Sequence, residues 1–149
     1  MSRRKNFNLS QNLAVGQLPM FMTGKEVQEH FQPLEGDRVQ IYDKEKNDTR
    51  RETNLELWTR KLDEARNSNF NPRENKFGLT SARSLSESIK ERGVQNPISL
   101  QLFDKPGSSQ ILGGHHRVAI MAAEHPTKLM PVEFFPTWQA AKDTKGPNY

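Results

Sequence analysis

The sequence contains no cysteine, which removes disulfides, thiolate nucleophiles, iron–sulfur clusters and cysteine-ligated zinc. A reducing compartment is compatible with this. Apolar residues are also sparse: 33% of the 149 residues are hydrophobic and 8% aromatic, with a mean hydropathy of −0.88. A chain of this length most simply forms one domain, so its core must be small and surrounded by long polar excursions. No apolar run approaches the ~20 residues of a membrane helix, and the stretch after the first basic residues, Asn6 to Asn12, is polar rather than signal-like. A soluble cytoplasmic protein, or one carried in a larger soluble assembly, is expected, with no membrane partner. No large excess of one charge exists either, since 22 Lys plus Arg face 18 Asp plus Glu for a net +4. That balance permits contact with nucleic acid without requiring it. The main basic cluster, Arg3-Arg4-Lys5, is either a solvated tail or an arm that touches DNA phosphates.

The most informative residues present are Gly113-Gly114-His115-His116-Arg117, set between an alternating apolar segment and the apolar stretch Val118 to Ala123. Two glycines let the backbone turn sharply and expose amide hydrogens, and a helix starting beside them adds further N–H groups and the positive end of its dipole. Such a place can hold an anion. An arginine in a first helical turn is unfavourable against that dipole, so Arg117 points to an anionic partner such as phosphate. The competing reading is a tight turn with a solvated arginine.

Along the chain, residues 1–19 read as an extended arm. Thr23 caps a short helix through Phe31, which Pro33 ends. The charged stretch Glu35 to Arg51 has room for one short strand around Val39, Ile41 and Tyr42, and Asp43 to Arg51 has nothing to bury. Thr53 and Glu56 form a capping box ahead of a helix whose Leu55, Trp58, Leu62 and Ala65 share one face. Ser84 and Glu87 form another, Leu85 and Ile89 come next at helical spacing, and Gly93 is a left-handed stop. Ile98, Leu100 and Leu102 alternate with Ser99 and Gln101 as in a half-buried strand. A turn at Lys105-Pro106-Gly107-Ser108 returns the chain through Ile111 to the glycines; a helix to Glu124 and a strand from Leu129 to Phe135 complete the order. The fold class expected is α/β (α+β): a small mixed sheet with packed helices and a helical N-terminal extension. The division is an arm and helical extension over 1–69 and a domain over 70–149, together one compact unit.

Taken together, Asn71-Pro72-Arg73, the run Ile89 to Ile98 through Gly93-Val94-Gln95-Asn96-Pro97, and the Gly113 to Ala119 loop and helix start resemble the ParB N-terminal domain of the ParB/sulfiredoxin superfamily. The resemblance covers about residues 70–135. It implies a nucleotide site, because partition proteins of this fold bind CTP and sulfiredoxins bind ATP, with or without Mg2+; related proteins include amino-acid kinases and domains described as nucleases. Carried over by position, Gly113, Gly114, His116 and Arg117 would cradle phosphates, and Gly93, Gln95, Asn96 and Pro97 would lie against the base or ribose. Arg73 would approach the same site, and Glu74 beside it is a candidate acid or base. His115 stands where sulfiredoxins carry their catalytic cysteine and partition proteins a glutamate. That excludes sulfinic acid reduction and makes His115 either a catalytic proton carrier or a substitute at an abandoned position. With the sequence stopping at Tyr149, the helix-turn-helix and dimerisation domains that come next in partition proteins are not expected, nor is a sequence-specific partition role. Short stand-alone members of this kind occur in bacteriophages and mobile elements, so a phage source and a homo-oligomer or larger phage assembly are among the expectations.

Adjacent His115 and His116 point in different directions and do not make a metal site without further ligands. No pair stands out among the carboxylates Asp63, Glu64, Glu74, Glu87, Glu91, Asp104, Glu124 and Glu133. Three functions stay open: a nucleotide-binding switch or slow phosphohydrolase, a non-specific DNA-binding protein or ParB-like nuclease, and an interaction protein with a degenerate site.

Overall fold

The computed structural model describes residues 18–67, 84–102 and 109–145. Arg3, Arg4, Lys5, the Asn71-Pro72-Arg73-Glu74 element and the Lys105 to Ser108 turn lie outside the described residues.

Strand β1 (Phe21–Thr23) runs directly into helix α1 (Gly24–His30). The Thr23 hydroxyl accepts from the Glu26 amide at 3.1 Å and the Glu26 carboxylate accepts from the Thr23 amide at 2.8 Å, a reciprocal cap. A 3-10 turn at Glu35–Asp37 comes next, then strands β2 (Gln40–Asp43) and β3 (Asp48–Arg51), paired antiparallel. Strand β2 lies where one short strand was expected, and the stretch after it, expected to bury nothing, turns back as β3 to make a hairpin. Asn47 supplies the positive φ of 51° at its tip, and Arg50 joins it to Glu56 through two contacts at 2.7 and 2.8 Å. Side-chain pairing takes the place of a buried face there.

Helix α2 (Asn54–Arg66) starts at the expected Thr53–Glu56 box. Its inner face is rotated from the expected one, however. Leu57, Lys61 and Ala65 are buried, Trp58 and Leu62 flank them against the core, and Leu55 is 77% exposed. A lysine in the buried row broke the apolar pattern that would have revealed it. Helix α3 (Leu85–Arg92) begins at the Ser84–Glu87 box and stops at Gly93, whose φ of 72° and ψ of −172° are positive-φ but extended rather than left-handed helical.

Strands β4 (Ile98–Gln101), β5 (Gln110–Gly113) and β6 (Leu129–Phe135) complete a four-stranded sheet of order β1-β6-β4-β5 with helix α4 (His115–Glu124) between β5 and β6. β6 runs parallel to β4 and antiparallel to β1, and β5 antiparallel to β4. The fold is therefore a mixed α/β unit with a small mixed sheet. Strand β4 departs from the half-buried expectation, since all four of its residues are buried. It is a central strand, and its polar members are satisfied: Ser99 donates to Glu133 at 3.2 Å, and Gln101 donates to the Pro136 carbonyl at 2.9 Å while accepting from Gln110 at 3.0 Å. Ile98, Leu100 and Ile89 are buried together as expected, with Leu85 and Leu102 packed partly buried against them.

Helices α1, α2 and α3 all pack on α4. Met22, Val27, Phe31, Val118, Ile120, Met121 and Met130 join the strand residues in one core cluster. A last helix, α5 (Trp138–Lys145), for which the sequence offers no clear apolar period, buries Ala141 and packs against β6. No helix among the described residues is long and apolar enough to cross a membrane.

A candidate phosphate-binding loop

The loop is positioned by a break in the sheet. The β4–β5 register shifts between Ser99 and Leu100, beside the Ser99–Gly113 pair, and such a slip bends a strand and re-aims the residues next to it. Gly114 then takes φ 103° and ψ 19°, a conformation that side chains disfavour. Space demands glycine as well, because a Cβ there would lie 2.6 Å from Ile98 Cδ1 and 3.1 Å from an Arg117 guanidinium nitrogen. Helices α1, α2 and α3 each begin at a Thr or Ser cap answered by a Glu. Helix α4 begins at Gly114, with no side-chain cap bond and no acidic residue in its first turn. An anion is the partner that such a terminus favours.

Arg117 donates from Nη1 to the Asn96 carbonyl at 2.5 Å. This contact joins the loop to the segment leading into β4, where Gly113 pairs with Ser99. Gly93 and Gln95 lie further back on the same segment and are exposed; nothing stands within 4 Å of a Cβ built on Gly93.

The two histidines point to different places. His116 Nε2 lies 2.8 Å from Glu64 Oε1 on α2; burial pulls its pKa below the usual imidazole value, and the bond to Glu64 opposes that. His115 is 5% exposed. Its Nε2 accepts from the Leu34 amide at 3.0 Å, and its Nδ1 lies 3.1 Å from Asp37 Oδ2. Because Nε2 accepts, the proton sits on Nδ1, facing the carboxylate. The Trp58 ring lies 6.0 Å from the imidazole at 30°. Burial pulls the His115 pKa from 6.5 to about 4; Asp37 opposes the shift, and Lys61, His116 and Arg60 add to it.

Asp37 also accepts from the buried Lys61 at 3.3 Å, and its carbonyl accepts from Arg60 at 2.7 Å. Arg60 in turn grips Glu52, which is 4% exposed, through Nε and Nη2 at 2.9 Å each. Sequence reasoning missed Leu34, Asp37, Glu52, Arg60 and Lys61 altogether. Glu64 was among the candidate carboxylates without a partner assigned. Glu124 and Glu133, from the same set, bond to Arg66 and Ser86 and to Ser99, respectively.

A histidine held neutral by burial makes stability depend on pH. Above about 6.5 the ring is neutral in both folded and unfolded chains, and its contribution is complete. Between 6.5 and about 4 the unfolded chain takes up a proton that the folded chain refuses, so stability should fall by about 1.4 kcal/mol per pH unit and level off below the folded pKa. Urea unfolding across this window should show a slope steeper in the parent than in His115→Gln by about that amount, since other groups such as His116 contribute to both. Equal slopes would refute the assignment.

The geometry is that of a small mixed α/β domain whose glycine turn opens an uncapped helix with an arginine in its first turn. The family model described as ParB N-terminal domain matches residues 44–133, more than half of the 149 residues, and the chain belongs to that family. The match begins in the β2–β3 turn and takes in α2, well ahead of the residues that carried the resemblance in the sequence. No curated protein and no solved structure matched the chain.

Proposed function

We propose that this ParB-type domain binds a nucleotide or another phosphate-bearing ligand at Gly113–Arg117, as a switch or slow phosphohydrolase. One observation carries the reading: α4, alone among the four helices packed together, starts on a positive-φ glycine with no side-chain cap and puts an arginine in its first turn. Backbone amides and the dipole would meet the phosphate, and Arg117 would add a charge-assisted bond. The register slip and the Arg117–Asn96 bond shape the turn before any ligand arrives, which lowers the ordering cost of binding. Membership of the ParB N-terminal family supports a nucleotide as the ligand, CTP or ATP, with Mg2+ as its counterion.

Calorimetric titration with CTP, ATP, GTP and UTP, with and without Mg2+, tests this. Loss of a charge-assisted contact is worth about 1.5–3 kcal/mol, so Arg117→Ala should weaken binding about tenfold or more. Duplex DNA titrated alongside addresses the nucleic-acid alternative, for which affinity should fall steeply with salt. Absence of nucleotide binding at millimolar concentration, together with an Arg117→Ala protein indistinguishable from the parent, would overturn the proposal.

A further inference from the structure

We infer that His115 is a positioning residue, a neutral clamp that ties the Leu34–Arg38 turn to the first turn of α4 and so keeps Gly113–Arg117 in its anion-ready shape. The inference rests on the reading of that loop as a phosphate site. It assigns His115 a role other than proton transfer to a ligand, because both ring nitrogens already face protein groups: Nε2 the Leu34 amide and Nδ1 the Asp37 carboxylate.

The clamped turn is itself anchored. The Asp37 amide bonds to the Leu34 carbonyl at 2.9 Å and the Arg38 amide to the Glu35 carbonyl at 3.1 Å. Arg60 holds the Asp37 carbonyl, Lys61 holds its carboxylate, and Arg38 donates from Nη1 to the Glu52 carbonyl at 2.9 Å. A continuous polar path therefore runs from Glu52 through Arg60 and Asp37 to His115, the first residue of α4 and the immediate neighbour of Gly114. The Trp58 ring lies beside the imidazole, 6.0 Å away between centroids. The charged and titratable groups around the imidazole are Asp37 on the turn, Lys61 and Arg60 on α2, and His116 on α4, with Glu64 of α2 engaging His116. A positive ring would be pushed by Lys61, Arg60 and His116 and would lose its Nε2 acceptor, so the clamp works only while the ring is uncharged.

The experiment uses the full chain, with histidine-ring NMR, amide exchange at Leu34, and calorimetry with CTP and ATP. The expected result is an Nδ1-protonated, neutral His115 ring at pH 6 and a slowly exchanging Leu34 amide. His115→Ala should speed Leu34 exchange about tenfold, as for loss of one buried hydrogen bond, and weaken nucleotide affinity while any turnover at saturation is kept. His115→Gln, which offers an amide oxygen near the place of Nε2, should restore much of the Leu34 protection. Should His115→Ala fail to fold, Asp37→Ala removes the Nδ1 neighbour instead and should shift the ring toward the Nε2-protonated tautomer with faster Leu34 exchange. A charged or Nε2-protonated ring in the parent at pH 6, or Leu34 exchange unmoved by these variants, overturns the clamp. If neither nucleotide binds, the phosphate-site reading fails, and ring tautomer and Leu34 exchange decide the clamp by themselves.

Discussion

Gly24→Ala should lower the free energy of unfolding by about 3 kcal/mol or more, at the upper end of the cost of overpacking. Helix propensity argues the opposite way, since alanine is favoured over glycine by up to about 1 kcal/mol in a helix. Sterics decide the sign. A Cβ on Gly24 would lie 2.4 Å from the Ala122 amide nitrogen and 2.8 Å from the Met121 carbonyl carbon, and both are main-chain atoms of α4 that no rotamer change can move. Relief requires α1 to lift from α4, which loosens Val27 and Phe31, 0% and 1% exposed in the core. Gly36→Ala is the control, because nothing stands within 4 Å of a Cβ there and its φ is not positive; it should shift stability by less than about 0.5 kcal/mol. Urea denaturation of both variants checks the pair, and a Gly24→Ala protein as stable as the parent would show that α1 and α4 pack more loosely than these distances require.

Arg60→Ala should cost about 3 kcal/mol, because it strands a buried carboxylate. Glu52 is almost fully enclosed, and a single guanidinium donates to both of its carboxylate oxygens, at 2.9 Å each. Arg60→Lys should recover only part of the loss, since an ammonium cannot reproduce the two-pronged geometry or reach the Asp37 carbonyl as well. Removing both charges together, as in Arg60→Met with Glu52→Leu, should be far milder than Arg60→Ala, because the desolvated charge disappears with its partner. The Arg60 bonds also hold the Glu52 pKa below 4.5, so this contribution is complete above that pH and is lost as the pH falls through the lowered value. A Glu52 carboxylate titrating normally in the parent would contradict the account.

The sequence was legible wherever the signal is local. Capping boxes at Thr53 and Ser84, the glycine stop at Gly93 and the glycine turn before α4 are decided by residues within one helical turn of each other, and each lies where expected, although Gly93 is extended rather than left-handed helical. Long-range features were hidden. Lys61 finds Asp37 across 24 residues, and Leu34 finds His115 across 81, so neither partner leaves a trace in spacing. Lys61 also masked the buried row of α2, because a charged side chain on an inner face reads as polar until its counter-charge is known. Strand β2 was expected, but its partner β3 was missed because Arg50 and Arg51 engage acidic side chains and leave no alternating apolar residues to read. Strand β4 read as one-sided because Ser99 and Gln101 are polar, although each is buried with its hydrogen bonds satisfied.

Strand β1 pairs with β6, Phe21 opposite Pro131 and Thr23 opposite Leu129. During synthesis β1 therefore leaves the ribosome long before its partner exists, and α1, which comes directly after it, waits for α4. Closing so long a loop is entropically slow, so Met22 and Phe31, fully enclosed at the end, stay open to water until nearly the whole sheet has been made. Among the described strands the sheet joins its earliest to its latest, so until β6 has been made this edge is a stretch in need of protection from other chains.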